Sequence, residues 1–236
     1  FEPGDRVALA SSGYPCYRNI LNALGCEVVT VDVGERSAFK LTARELEAAL
    51  ARDDAARARP LRGLVLSSPS NPTGAMLAPD ELAALCAACD ARGVRFVSDE
   101  IYHGITFSDA PAQDTALRHS PDALVINSFS KFFSMTGWRL GWLVLPENAP
   151  ELADAITRLQ QNLFISAPTL AQRAGAAALA RGGPCEAELR AHVARYERNR
   201  DAVLAGLRRL GDAAGAQPTL APAHGAFYVY ADLGAL

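Results

Sequence analysis

The apolar positions of this chain fall into two rhythms. Short, nearly unbroken apolar runs alternate with stretches whose apolar residues recur every three or four positions. RVALASS, after the turn PGD, reads as a strand, and YRNILNALG as a helix closed by Gly25. CEVVTVDV, rich in β-branched residues, is a second strand. TARELEAALARDD is a helix with Thr42 as its cap and Glu45 three positions on, the pattern of a capping box. LRGLVLSSPSNPTG gives a strand and a turn, APDELAALCAACDARG a helix, and VRFVSDEIY a strand. A loop-rich stretch with one short helix leads to the strands DALVINSFSK and RLGWLVLP. Continuous apolar strands alternating with helices predict an α/β fold: a mostly parallel sheet covered by helices on both faces.

After Pro150 the rhythm becomes helical. ELADAITRLQQNLF and SAPTLAQRAGAAALARGG predict two helices. CEAELRAHVARYERNRDAVLAGLRRLG predicts one long helix of about 25 residues, ~37 Å at 1.5 Å per residue. HGAFYVYADL then reads as a strand. Two units follow from this pattern. Residues 1–184 form a large α/β domain, and residues 185–236 form a connecting helix and the start of a smaller α+β C-terminal domain. The chain opens without Met and stops just after a strand, so we expect an internal piece of a longer protein.

Composition narrows the function classes. The net charge is −3 and no basic block is present, which argues against nucleic acid as a partner. No apolar run is long enough to cross a bilayer, so no membrane partner is expected. The five cysteines are odd in number and sit in apolar or helical contexts, which suits a reducing cytoplasm. Cys86 and Cys89 form a C-x-x-C inside a helical pattern. With no second pair to complete a metal site, they are expected to pack, and no metal is expected.

Lysine usage changes the picture more. Of 23 basic residues only Lys40 and Lys131 are lysines. A chain that uses arginine for ordinary positive charge keeps lysine where an amine is needed. An amine can lose its proton and attack a carbonyl, which a guanidinium effectively cannot. Lys40, before a helix, reads as a solvated charge. Lys131 sits in INSFSKFFSMTGWRLGW, at the end of a predicted strand. Asn71 and Asp99 also fall at or just past strand ends, 28 residues apart, with Lys131 a further 32 along. A strand–crossover–strand unit takes roughly 30 residues. An amide, a carboxylate and an amine therefore gather at one edge of the sheet, where open α/β sheets bind ligands.

Pyridoxal 5'-phosphate is a ligand that needs this set. A lysine takes its aldehyde and an acidic group holds its ring nitrogen protonated. Donors such as Asn71 and Tyr102 suit its phenolic oxygen. Hydroxyls and an arginine, here Ser128, Ser130 and Arg139, suit its phosphate. His103 reads as structural or solvated, Trp138 and Trp142 as packing residues, and Met135 as core. Arg18 and the arginines of the long helix read as surface charges.

At these residues the chain resembles the fold-type I, class I/II aminotransferases. The likeness is carried in order by PGDRV, YPCY, SPSNPTG, VSDEIY, SFSKFFSMTGWRLGW and GAFYVY, and it spans essentially the whole sequence. It implies the large domain of the pyridoxal-phosphate-dependent transferase fold. It also implies amino-group transfer between an amino acid and a 2-oxo acid through a Schiff base on Lys131. Lys131 would move the α-proton, and Asp99 would face the pyridine nitrogen. Asn71 and Tyr102 would hold the phenolic oxygen. Ser128 and Arg139, with Ser130, would bind phosphate, and Tyr14 would stack on the pyridine ring. Members of the family work as homodimers. They carry a segment before the PGD turn, and past the FYVY strand an arginine for the substrate carboxylate. Two alternatives stay open at this point. One is a lyase or synthase on the same cofactor. The other is an aminotransferase-like sensor domain of a transcriptional regulator, which an upstream helix-turn-helix would reveal.

Overall fold

A computed structural model describes residues 1–52, 59–180 and 183–235. The strands are β1 (Arg6–Ala10), β2 (Glu27–Val31), β3 (Leu61–Ser67), β4 (Arg95–Asp99), β5 (Leu124–Ser128) and β6 (Gly141–Val144). They form one sheet in the order β2-β1-β3-β4-β5-β6. The first five are mutually parallel, and β6 runs antiparallel to β5. The helices between them are α1 (Pro15–Ala23), α2 (Ala43–Ala51) and α3 (Pro79–Asp90).

The strand alternation explains the two faces. Ala8, Leu64, Leu66, Phe96 and Val125 pack with Leu46, Leu82, Leu85, Cys86 and Cys89 of α2 and α3 on one face. Val7 and Leu9 pack with Leu21 and Tyr17 of α1 on the other. Cys86 and Cys89 are thus core residues of α3, and burial pushes both thiols up to about 12. Among the described residues, no group of three His, Cys, Asp or Glu side chains is placed to hold a metal. Likewise, none of the described helices is long and apolar enough to cross a membrane.

Helices α4 (Pro150–Leu163), α5 (Thr169–Ala178) and α6 (Pro184–Ala214) follow, then a small antiparallel pair of β7 (Thr219–Leu220) and β8 (Ala231–Asp232). α6 runs 31 residues, about 46 Å, and Gly215 closes it in a left-handed conformation.

Several local expectations are corrected. Thr42 stands at the N-cap of α2, but its hydroxyl bonds the Glu45 carboxylate instead of the helix backbone. Arg44 holds the other Glu45 oxygen, so the reciprocal box does not close. Asp53 and Asp54 of that expected helix, and Arg181 and Gly182 after α5, lie outside the described residues. Lys40 is not a free surface charge, since its amine pairs with Glu81 at the start of α3. Arg200 of α6 is buried. It donates to Asp109 at 2.7 Å and to the Ala223 carbonyl at 3.0 Å, and its guanidinium lies 4.7 Å from the Phe107 ring centre.

HGAFYVYADL is not a continuous strand; only Ala231–Asp232 pairs as one. Its backbone is spent elsewhere. His224 and Gly225 N–H both donate to the Gly74 carbonyl at 3.0 Å, and Ala226 N–H donates to Ile105 at 2.9 Å. Ala226 then turns at φ 58°, outside the extended region. The bonds with Ile105 and Phe107 make an isolated antiparallel bridge of Gly225 to Thr106 and not a longer ladder.

Candidate active site

Asp99 ends β4, and β5 ends at Ser128, three residues before Lys131. β3 ends at Ser67, and the turn after it carries Asn71. The parallel register sets Ser67 beside Asp99 and Asp99 beside Ile126, so three strand ends share one sheet edge. A cleft of about 280 Å³ opens there. Seven of the eight residues singled out from sequence line it: Tyr14, Asn71, Asp99, Tyr102, Ser130, Lys131 and Arg139. Ser128 stands one step behind. Its hydroxyl accepts from the Ser130 N–H at 2.9 Å and so shapes the turn that presents Ser130.

Asp99 is held from two sides. The Tyr17 hydroxyl donates to Oδ2, and the Ile101 N–H donates to Oδ1 at 3.1 Å. Burial pushes the Asp99 carboxyl above the usual carboxylate range. The two hydrogen bonds and the charge of Lys131 pull the other way. Tyr17 itself is raised, first by burial and then by the Asp99 charge, so it stays a neutral donor. Sequence reasoning missed Tyr17 as a site residue. The signal was present in YPCY, where Tyr17 lies three residues beyond Tyr14, on the first turn of α1. Tyr14 lines the cleft nearly half exposed, with its ring edge-on to Tyr17 at 5.6 Å.

Tyr102 is buried, and its hydroxyl lies 2.7 Å from that of Tyr228. Burial raises its pKa, the Tyr228 hydrogen bond adds to the rise, and the Asn71 amide opposes it. The Lys131 amine sits 5.8 Å from the Tyr102 ring centre and 5.7 Å from that of Phe227. Phe227 and Tyr228 were not foreseen as site residues because GAFYVY read as a plain strand.

The loop after β5 is tied to itself. Ser134 N–H donates to Lys131 O at 3.0 Å, Thr136 Oγ1 to Ser130 O at 2.7 Å, and Arg139 to Thr136 O at 2.8 Å. Arg139 is left-handed at φ 52°, a conformation that non-glycine residues seldom adopt. Gly104, at φ 89°, lets Phe132 lie against the backbone; a Cβ there would stand 2.6 Å from the Phe132 ring. Trp142 packs on Phe129 at 5.2 Å, whereas Trp138 is nearly half exposed and lies outside the cleft. His103 is inside the protein, and burial lowers its pKa to about 4. Its 3.3 Å contact with Glu100 is therefore one between a neutral imidazole and a buried carboxyl, with no charge pairing. Met135 is buried, as expected.

The donor set suits a phosphorylated pyridine aldehyde. It offers an amine for the aldehyde, a carboxylate for the ring nitrogen and an amide with a phenol for the ring oxygen. A serine, a threonine and an arginine on the same cleft remain for the phosphate.

Comparison with known proteins agrees with this chemistry. The family model "Aminotransferase class I and II" matches residues 1–236. The valine–pyruvate aminotransferase of Mycobacterium tuberculosis is 48% identical over 233 residues, covering 99% of this chain and 55% of the relative. A probable N-acetyl-LL-diaminopimelate aminotransferase of Bacillus subtilis is 37% identical over 180 residues, 76% of this chain and 43% of its own. Among solved structures, an aminotransferase from Mycobacterium tuberculosis matches with a TM-score of 0.88 at 48% identity, over 99% of this chain and 56% of that one. Aspartate aminotransferase from Thermus thermophilus with maleate matches at 0.86 and 29% identity, over 99% and 57%. The chain spans about half the length of the curated relatives it matches.

Proposed function

Because this chain belongs to the class I and II aminotransferase family, we propose that the whole protein moves an amino group between an amino acid and a 2-oxo acid. The family uses pyridoxal 5'-phosphate. That cofactor supplies an aldehyde for an amine and an aromatic ring that withdraws electrons from the substrate α-carbon. The observation that carries the reading is the shared cleft, which Lys131, Asp99, Asn71 and Tyr102 all line.

Each residue has a role in this reading. Lys131 Nζ would hold the cofactor and, once released, would serve as the base that moves the substrate α-proton. Asp99 faces the ring nitrogen and keeps it protonated, with Tyr17 and Ile101 fixing the carboxylate. Tyr102 and Asn71 donate to the phenolic oxygen. Arg139 and Ser130 bind phosphate, with Ser128 holding the Ser130 turn. Tyr14 covers one ring face. Two adjacent aromatic rings, Tyr102 and Phe227, stand 5.8 and 5.7 Å from the amine and shield one side of it from water.

Further parts of the reading belong to the whole protein. We place a domain boundary at 184/185, supported by the separate β7–β8 pair after α6. A homodimer is supported by the exposed apolar side chains Leu159, Leu163, Phe164, Ile165 and Leu170 around α4 and α5. A cytoplasmic setting is supported by five free cysteines.

The test is a half-reaction screen on full-length protein. Cofactor-loaded enzyme is mixed with single amino acids while the visible band is followed. Valine comes first, because the Mycobacterium tuberculosis relative carries valine and pyruvate in its name. Conversion of the band by an amino acid, and its return with a 2-oxo acid, is expected. Release of ammonia in place of that return would favour lyase chemistry.

A further inference from the structure

Tyr102 carries one proton and two lone pairs on its hydroxyl. The Tyr228 hydroxyl is bonded to it at 2.7 Å, and Asn71 lines the same cleft. The Asn71 amide acts on the Tyr102 pKa in the direction of a donor, lowering it. Tyr102 thus has one proton to give and a lone pair open to the Tyr228 hydroxyl.

The position of Tyr228 is not left to a flexible tail. Gly225 N–H donates to Gly74 and Ala226 N–H donates to Ile105, which binds the segment to the loops after β3 and β4. A side chain at Gly225 would stand 2.7 Å from the Ile105 carbonyl, so the approach is close. The rings of Phe227 and Tyr228 then meet that of Tyr102 edge-on, at 5.5 and 5.7 Å.

We propose that Tyr228 is a positioning residue that donates to Tyr102, so that Tyr102 gives its own proton to the phenolic oxygen of the bound cofactor. This rests on the function proposed above. When the cleft is empty of a phenolic oxygen, the Tyr102 proton can point to Tyr228. When one is present, the Tyr102 proton turns to it, and the Tyr228 proton fills a lone pair on Tyr102. Donors in series polarise one another, so Tyr102 becomes a stronger donor than a lone phenol. A phenolic oxygen held this way would stay negative without the proton on Lys131 Nζ beside it, and that proton would be lost more readily. Residue 228 lies 126 positions from Tyr102, so the C-terminal segment would set the acidity of a site built on the sheet edge.

The experiment uses full-length protein loaded with pyridoxal 5'-phosphate and reads the pH midpoint of the visible absorbance change. Tyr228→Phe keeps the ring and removes the hydroxyl. Its midpoint is expected to rise by about 0.3–0.7 of a pH unit. Tyr102→Phe should raise it further. Adding Tyr228→Phe to Tyr102→Phe should then move it no more, because the second hydroxyl acts through the first. An unchanged midpoint in Tyr228→Phe overturns the inference, as does an equal shift in the Tyr102→Phe background. A parent protein that forms no visible band overturns the proposed function, and this inference with it.

Discussion

The surroundings of the two lysines differ in kind. Lys40 meets the Glu81 carboxylate across the gap between its loop and α3, and the pair is about a quarter exposed or less. Lys131 has no carboxylate within ion-pair distance among the described residues; it faces two aromatic rings in a cleft. The first amine is neutralised where it stands. The second is held near a carboxylate, Asp99, that is committed to Tyr17 and Ile101. A charge that stabilises is paired at once, and a charge that reacts is kept close to partners without being quenched by them.

Substitution sharpens that contrast. Lys131→Ala is expected to abolish the visible band of the loaded full-length protein and to cost about 10⁴-fold or more in turnover. A normal spectrum would remove Lys131 as the anchor. Asp99→Asn comes next, with turnover falling about a hundredfold to a thousandfold while the band still forms. Near-normal turnover would end the electron-withdrawing account.

The same variant has a stability signature without cofactor. Burial sets the folded pKa of Asp99 above its unfolded value, so the folded state binds this proton more tightly. Stability therefore falls as pH rises from the ordinary carboxylate value to the folded one, and is level beyond it. Asp99→Asn removes that loss, so the cofactor-free variant should melt at or above the parent temperature at neutral pH. A clear drop would mean that the Tyr17 and Ile101 bonds outweigh burial. The smallest effect belongs to Lys40→Met. It should leave turnover within about twofold and cost about 1 kcal/mol in denaturant unfolding. A large loss of turnover there would break the contrast between the lysines.

The sheet and most of the cleft were legible in the sequence for one reason. Asn71, Asp99 and Lys131 each follow an apolar run, and the parallel register turns that regular spacing into a common edge. What stayed hidden depended on distant partners. Tyr17 meets Asp99 across 82 residues, and Arg200 meets Asp109 across 91. YPCY places Tyr17 near the site without marking its partner, and no local pattern marks the Arg200 contact. GAFYVY has the composition of a strand, yet Gly74 and Ile105 take its backbone groups first. Thr42 and Glu45 have the spacing of a capping box, but their side chains satisfy each other.

Gly104 shows how part of the site is set by something missing. Phe132, next in chain to Lys131, rests in the room that an absent side chain leaves at position 104. Even one methyl group there would have to displace the aromatic ring that follows the reactive amine. Hydrogen at that Cα is thus a dimension of the active centre, and selection can tune the lysine's aim from a residue that touches no substrate.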